Sequence, residues 1–232
     1  MAGVIVMEKR QGNTIYTIGH STIEVEVFLN LVKKYDINCI VDIRSTPYSQ
    51  FAPQFNRENL KYFLKQNSMQ YLYMGREFGA RRDEKELYND SGELDFVKAA
   101  GSKIFNEGID RIAKGIQKGY RIAFMCTEKE PMDCHRTIMV GRKFNDLGYN
   151  VINILHNGTN ISQKELEKQL LNKYFPQRDQ MSIFNLLDQV SEDEKTLICR
   201  AYQYRNSEIA FHINAGEEHD EHLYNRVYAK NG

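Results

Sequence analysis

The chain has 232 residues, 41% of them hydrophobic, with 31 Lys plus Arg offset by 31 Asp plus Glu. That length can bury an ample core without disulfides or metals, and the balanced charge argues against a dedicated polyanion-binding protein. Only two of the four cysteines lie close in sequence, the N-terminus has no apolar signal segment, and no apolar run approaches the roughly 20 residues a bilayer span needs. These features predict a soluble, cytoplasmic, reducing setting with no membrane partner.

Residues 1–13 are read as a lead-in. From there, short apolar runs alternate with longer amphipathic segments. Strands are predicted at Thr14–Ile18, Asn38–Ile43, Gln70–Met74, Arg121–Met125 and Asn150–Leu155, and helices at Ile23–Tyr35, Arg57–Gln66, Phe96–Gln117 and Cys134–Leu147. Asp133 is the expected N-cap of the last of these, which stops at Gly148. Strands alternating with helices specify the α/β class, an open and mostly parallel sheet flanked by helices over residues 14–158. Residues 159–232 are expected to add a C-terminal helical extension: one helix at Ser162–Phe175, then a pair at Ser182–Val190 and Ser191–Ala210. Ser191 is the expected N-cap of the last, with Glu194 three residues on as a capping box. Charge is polarised along the chain, with ten acidic against three basic residues from 179 to 221, and seven basic against three acidic from 42 to 82.

The residues that follow the strands are polar: Gly19-His20-Ser21, Asp42-Ile43-Arg44-Ser45, Cys126-Thr127-Glu128 and His156-Asn157-Gly158. Ligands of open parallel sheets gather beyond the carboxyl ends of the strands, so this convergence predicts a site there. Cys134 and Cys126 are candidate nucleophiles or redox groups. Cys134 is the better one if it sits in a first helical turn, where free N–H groups and the helix dipole lower a thiol pKa; the other reading is that one or both are small buried apolar residues, as free cysteines usually are. His20, His135 and Glu128 are candidate acids or bases. Arg44 and Arg136 are candidate anion ligands, with Asp42 either neutralising Arg44 or orienting a histidine. Ser21, Gln54, Asn56, Arg76 and Glu77 complete the expected binding set. The connection from Arg76 to about Asp95 is long enough to suggest function or mobility.

Thr17-Ile-Gly-His20-Ser21, Val41-Asp42-Ile-Arg44-Ser45, Pro53-Gln54-Phe55-Asn56, and Cys126-x-Glu128-Lys with Cys134-His135-Arg136 resemble, in order, the signature blocks of a bacterial and archaeal family known as domain of unknown function 488. The resemblance spans roughly residues 14–158 and implies a Rossmann-like α/β domain. It implies little chemistry, and it does not extend beyond about residue 160.

No Walker A loop, G-x-G-x-x-G turn or G-x-S-x-G elbow is present. A Cys-based phosphatase would need Arg six residues after its cysteine, where Cys126 is followed by Met132. The C-x7-C-H spacing does not match the short ligand pairs of structural zinc sites, so no metal is assigned, and nothing names a cofactor. Two functions are expected: an enzyme acting on an anionic small molecule, nucleotide or base through the Cys/His/Arg cluster, or a non-catalytic domain binding nucleic acid or a protein partner. Oligomeric state is not encoded legibly.

Overall fold

A computed structural model describes residues 14–178 and 193–213. Its centre is a six-stranded sheet in the order β3-β2-β4-β1-β5-β6, made of β1 (Thr14–Gly19), β2 (Cys39–Asp42), β3 (Gln70–Tyr73), β4 (Ile122–Cys126), β5 (Asn150–Ile154) and β6 (Asn160–Ser162). The first five are parallel, and β6 returns antiparallel to β5. The five predicted strands are therefore present. The short β6, three residues long, carries too little pattern to be seen in advance.

Strands β1 and β4 lie inside the sheet and are buried on both faces, so they read as nearly continuous apolar runs. Alternate residues of β4 feed two cores: Phe124 and Cys126 face one, Ala123 and Met125 the other. Helices α1 (Val25–Lys33) and α2 (Arg57–Gln66) cover the second core with Phe28, Val32, Leu60 and Leu64. In the first core Phe78 meets Phe105, Phe124 and Phe144 edge-to-face, and Phe124 and Phe144 are tilted against each other. It is closed by α4 (Phe96–Gly101), α5 (Lys103–Gln117), α6 (Arg142–Asp146), α7 (Gln163–Tyr174) and α8 (Glu194–Ile209), while the single turn α3 (Gly75–Phe78) supplies Phe78.

Three expected helices differ in detail. Phe96–Gln117 is two helices, because Ser102 leaves the helical region (φ −65°, ψ 155°) and its hydroxyl caps α5 by accepting from the Phe105 amide. Asp95 caps α4 in the same way. Cys134–Leu147 does not start at an Asp133 cap. Pro131–Asp133 is a 3₁₀ turn, Cys134 is extended (φ −132°, ψ 136°), and Arg136–Gly141 is a π-helical segment running into α6. The carboxylate of Asp133 instead pairs with Arg205 of α8. The capping box expected at Ser191 falls outside the described residues, as does Ser182–Val190; α8 is capped by Asp193, which accepts from the Thr196 amide. A capping box does occur at the start of α7, between Ser162 and Glu165.

The extension is packed onto the sheet domain. Tyr202 is buried and hydrogen-bonded by Gln163, Arg205 donates to the Met132 carbonyl at 2.7 Å, and Asn206 bonds both Phe96 N and Leu94 O at 2.8 Å. The segment after α3 is likewise ordered by contacts. Arg82 is buried, donates to the Glu77 carbonyl and pairs with Glu84 at 2.8 Å. Among the described residues no helix is long and apolar enough to cross a membrane.

Candidate functional site

The carboxyl ends of β1, β2 and β4 are tied together by backbone bonds: His20 N to Cys126 O (2.9 Å), Ser21 N to Thr127 O (2.8 Å) and Ile43 N to Met125 O (3.1 Å). Parallel pairing thus delivers the polar residues after three strands to one place. They form two adjoining groups.

The first group is an ion pair with a histidine. Arg44 is buried and donates from Nε and NH2 to the two oxygens of the buried Asp42 carboxylate, at 2.9 and 2.6 Å. Its NH2 also reaches the Phe55 carbonyl, and NH1 lies 3.1 Å from His20 Nε2. His20 Nδ1 lies 2.7 Å from the Ser21 carbonyl, so Nδ1 carries the proton and Nε2 accepts from Arg44. The ring also stacks on Phe55 with centroids 4.2 Å apart. The histidine-orienting role considered for Asp42 therefore passes to Arg44, and both nitrogens of His20 are engaged. Four of the five N–H donors of Arg44 are engaged within the protein, which makes it first of all a positioning residue.

The second group holds the thiols. Cys126 and Cys134 both donate to Glu128 Oε2, at 3.0 and 2.7 Å, and His135 Nδ1 lies 3.7 Å from Cys126 Sγ. The ligand atoms of these four residues all lie within 4.8 Å of one another. His135 Nε2 faces the Ile43 carbonyl at 3.3 Å. Glu128 is half-buried as a residue while both thiols and His135 are buried, and its Oε2 sits between the two thiols. Burial raises both thiol pKa values, Cys134 well above its ordinary value, with Cys126 and Glu128 adding to the effect. The expected lowered pKa at Cys134 is thereby corrected: its backbone is extended, and the thiol is desolvated beside a carboxylate. Burial opposes ionisation of Glu128, but His135 and the two thiol donors outweigh it and hold the carboxyl below its usual range. His135 is raised, because Cys134 and Glu128 overcome the opposing effect of burial.

Arg136 closes the group from below. It is fully buried, NH1 donates to the Glu128 carbonyl at 2.5 Å and NH2 to the Lys129 carbonyl at 3.0 Å, and Nε has no partner. Its charge forms no ion pair among the described residues. His156, one of the strand-end residues but assigned no role from sequence, donates from Nε2 to the Gly19 carbonyl at 2.7 Å, at the end of the neighbouring strand.

Of the remaining expected binding residues, four make contacts within the scaffold and one is exposed. Ser21 is buried in a left-handed turn (φ 47°), Gln54 donates to the Ile23 carbonyl, Asn56 accepts from the Ser49 amide, and Glu77 pairs with Arg111. Arg76 is exposed.

The histidines give the fold a pH dependence. His20 is held well below its ordinary value of 6.5 by burial and Arg44, so the fold keeps it neutral, and the less buried His156 is lowered as well. Below pH 6.5 the unfolded chain binds the proton that folded His20 refuses, so this stability is present above 6.5 and is lost on acidification. His135 acts oppositely: its contribution is complete below 6.5 and fades as pH rises through its raised value. Thermal melts between pH 7 and 5 should therefore show a falling Tm that is flatter in His20→Gln. An equally steep fall in that variant would rule out His20 as the cause.

The profile of the family described as domain of unknown function DUF488 matches residues 24–142, just over half of the chain. The match includes Asp42, Arg44 and the whole thiol group, and begins after His20. No curated protein and no solved structure matches.

Proposed function

The chain belongs to the DUF488 family, a membership that names no reaction, and we propose that it is a cytoplasmic enzyme acting on an anionic small molecule, nucleotide or base. The observation that carries this reading is Arg136. A fully buried guanidinium with an unpartnered Nε and no ion pair among the described residues is a costly arrangement, which a bound anion would relieve. Glu128, half-buried and with its carboxyl held below the usual range, and His135, with its pKa raised, supply an acid-base pair in the same group. Four free thiols are consistent with a reducing cytoplasm.

The test is ligand binding to the full chain, followed by thermal melts and calorimetry, with inorganic phosphate, nucleoside monophosphates and free nucleobases. A ligand at 100 times its Kd should stabilise the fold by about 2.7 kcal/mol. In a chain of this size that raises Tm by about 5–10 °C. Arg136→Lys should bind more weakly, since a compact ammonium cannot reproduce the guanidinium fork. Absence of any response across the series would remove this reading.

A second reading, a non-catalytic nucleic-acid or protein-binding domain, is favoured by a different surface. Tyr48, Phe51 and Tyr62 are 70, 46 and 67% exposed, and Arg57, Lys61 and Lys65 are exposed on the adjoining helix α2. Aromatics interleaved with cations suit stacked single strands. Retention of an oligonucleotide at low salt, weakening steeply as salt rises, is its expected signature.

A further inference from the structure

We infer that Cys126, Cys134 and His135 hold a zinc-class divalent metal ion, with Glu128 completing the shell when no substrate occupies the fourth position. The inference concerns the cluster proposed above as an active site but stands on its donors alone; with the metal bound His135 is a ligand, and the acid-base role falls to a displaced Glu128. A protein that binds metal without turnover would still bear it out.

Four observations converge. The donor set is two sulfurs, one imidazole nitrogen and one carboxylate oxygen, with all ligand atoms within 4.8 Å of one another. Soft thiolates with imidazole select zinc and its neighbours over magnesium or calcium, which require oxygen shells. The spacing is close to that of a bound ion. Zinc bonds of about 2.0–2.3 Å in a tetrahedron hold donors about 3.3–3.8 Å apart. The Cys126 Sγ to His135 Nδ1 separation is 3.7 Å, and the thiol–Glu128 distances of 3.0 and 2.7 Å are hydrogen bonds that need open by no more than about 1 Å.

The surroundings also suit ligation. His135 Nε2 faces the Ile43 carbonyl, the arrangement that turns Nδ1 toward a metal and fixes its tautomer. The Arg136 amide lies 3.4 Å from Cys134 Sγ, where it can hydrogen-bond a thiolate. Finally, charge would balance. Two thiolates and a dication sum to no net charge, so the two cysteines and His135 can hold the ion without drawing on Arg136, whose guanidinium stays available to an anion. Three ligands with a displaceable fourth is the pattern of catalytic zinc, and Glu128, the one half-buried member, is the ligand that water or substrate could replace.

Metal analysis of the purified full chain, prepared without chelators, should find about one zinc per chain. The stripped protein should take up Co²⁺ with an intense thiolate-to-cobalt charge-transfer band and a tetrahedral visible spectrum. C126S and C134S should each weaken the band by about half or more and C126S/C134S should abolish it, whereas C39S and C199S should keep it. Since a cluster variant could fail to fold, alkylation mapped by mass spectrometry provides a reading on the unaltered chain: zinc should protect Cys126 and Cys134 selectively in partially denatured protein. Absence of bound metal together with cobalt uptake lacking a thiolate band would overturn the inference, as would labelling of both thiols that zinc leaves unchanged. Because metal content is read separately from nucleotide binding, an anion-binding enzyme without metal and a metal protein without substrate give different results.

Discussion

Asp42→Asn should destabilise the fold by about 3–5 kcal/mol, which for a chain of this size lowers Tm by about 6–20 °C. The Asp42 carboxylate is fully buried and accepts from the Arg44 backbone amide, from Arg44 Nε and NH2, and from the Tyr71 hydroxyl at 2.7 Å. Neutralising it leaves the buried guanidinium of Arg44 without a counter-charge, and an uncompensated buried ion costs more than the net worth of the pair. The loss should reach His20 as well, because Arg44 NH1 is the group facing its Nε2. A double-mutant cycle with Arg44→Met separates charge from packing. Asp42→Asn/Arg44→Met should be more stable than Asp42→Asn alone; a double variant as unstable as the sum of the single changes would place the cost elsewhere.

Gly19→Ala should be comparably damaging, at about 3 kcal/mol or more, beyond the usual range for one added methyl group in a packed region. A Cβ at this position would lie 1.8 Å from the Glu128 carbonyl oxygen, 2.8 Å from its carbon and 3.0 Å from Arg136 NH1. The first two are backbone atoms, so the clash can be relieved only by moving the Cys126–Glu128 segment, and with it the carbonyl that holds Arg136. Gly101→Ala is the contrasting case. Nothing lies within 4 Å of the added Cβ, and alanine favours the helix by up to about 1 kcal/mol. Thermal melts of the two variants should diverge, with Gly19→Ala also losing metal uptake and ligand response. Wild-type stability in Gly19→Ala would mean that β1 and the segment after β4 do not approach so closely.

The helix break at Ser102 shows how a pattern can be read too coarsely. Phe96–Gln117 is amphipathic throughout, yet a serine hydroxyl able to cap Phe105 makes two helices better satisfied than one. At Asp133 the error has a different source. An aspartate before an apolar run is a sound N-cap signal, but Arg205, 72 residues away, takes its carboxylate. No local signal marks the π-helical Arg136–Gly141 segment, whose six residues are all buried.

The thiols show the same division. That Cys126, Glu128, Cys134 and His135 lie near one strand end was legible, because polar residues after apolar strands in a parallel sheet collect at one edge. Their protonation was not, since it depends on the water excluded by residues distant in the chain. The metal-ligand geometry was hidden for a related reason. Spacing rules expect ligands in tight local pairs, whereas these come from the end of β4 and from the extended residue before the π-helical segment.

By itself, the sequence determined the strands, most of the helices, the parallel α/β class and the edge at which the chemistry collects, because apolar periodicity and strand-end polarity are local properties of the chain. Tertiary structure alone decided which groups are charged, which donors remain free and which side chains share a coordination sphere. Those properties depend on desolvation and on distances of a few ångströms between residues remote in sequence, and they exist only once the sheet has brought the ends of β1, β2 and β4 together.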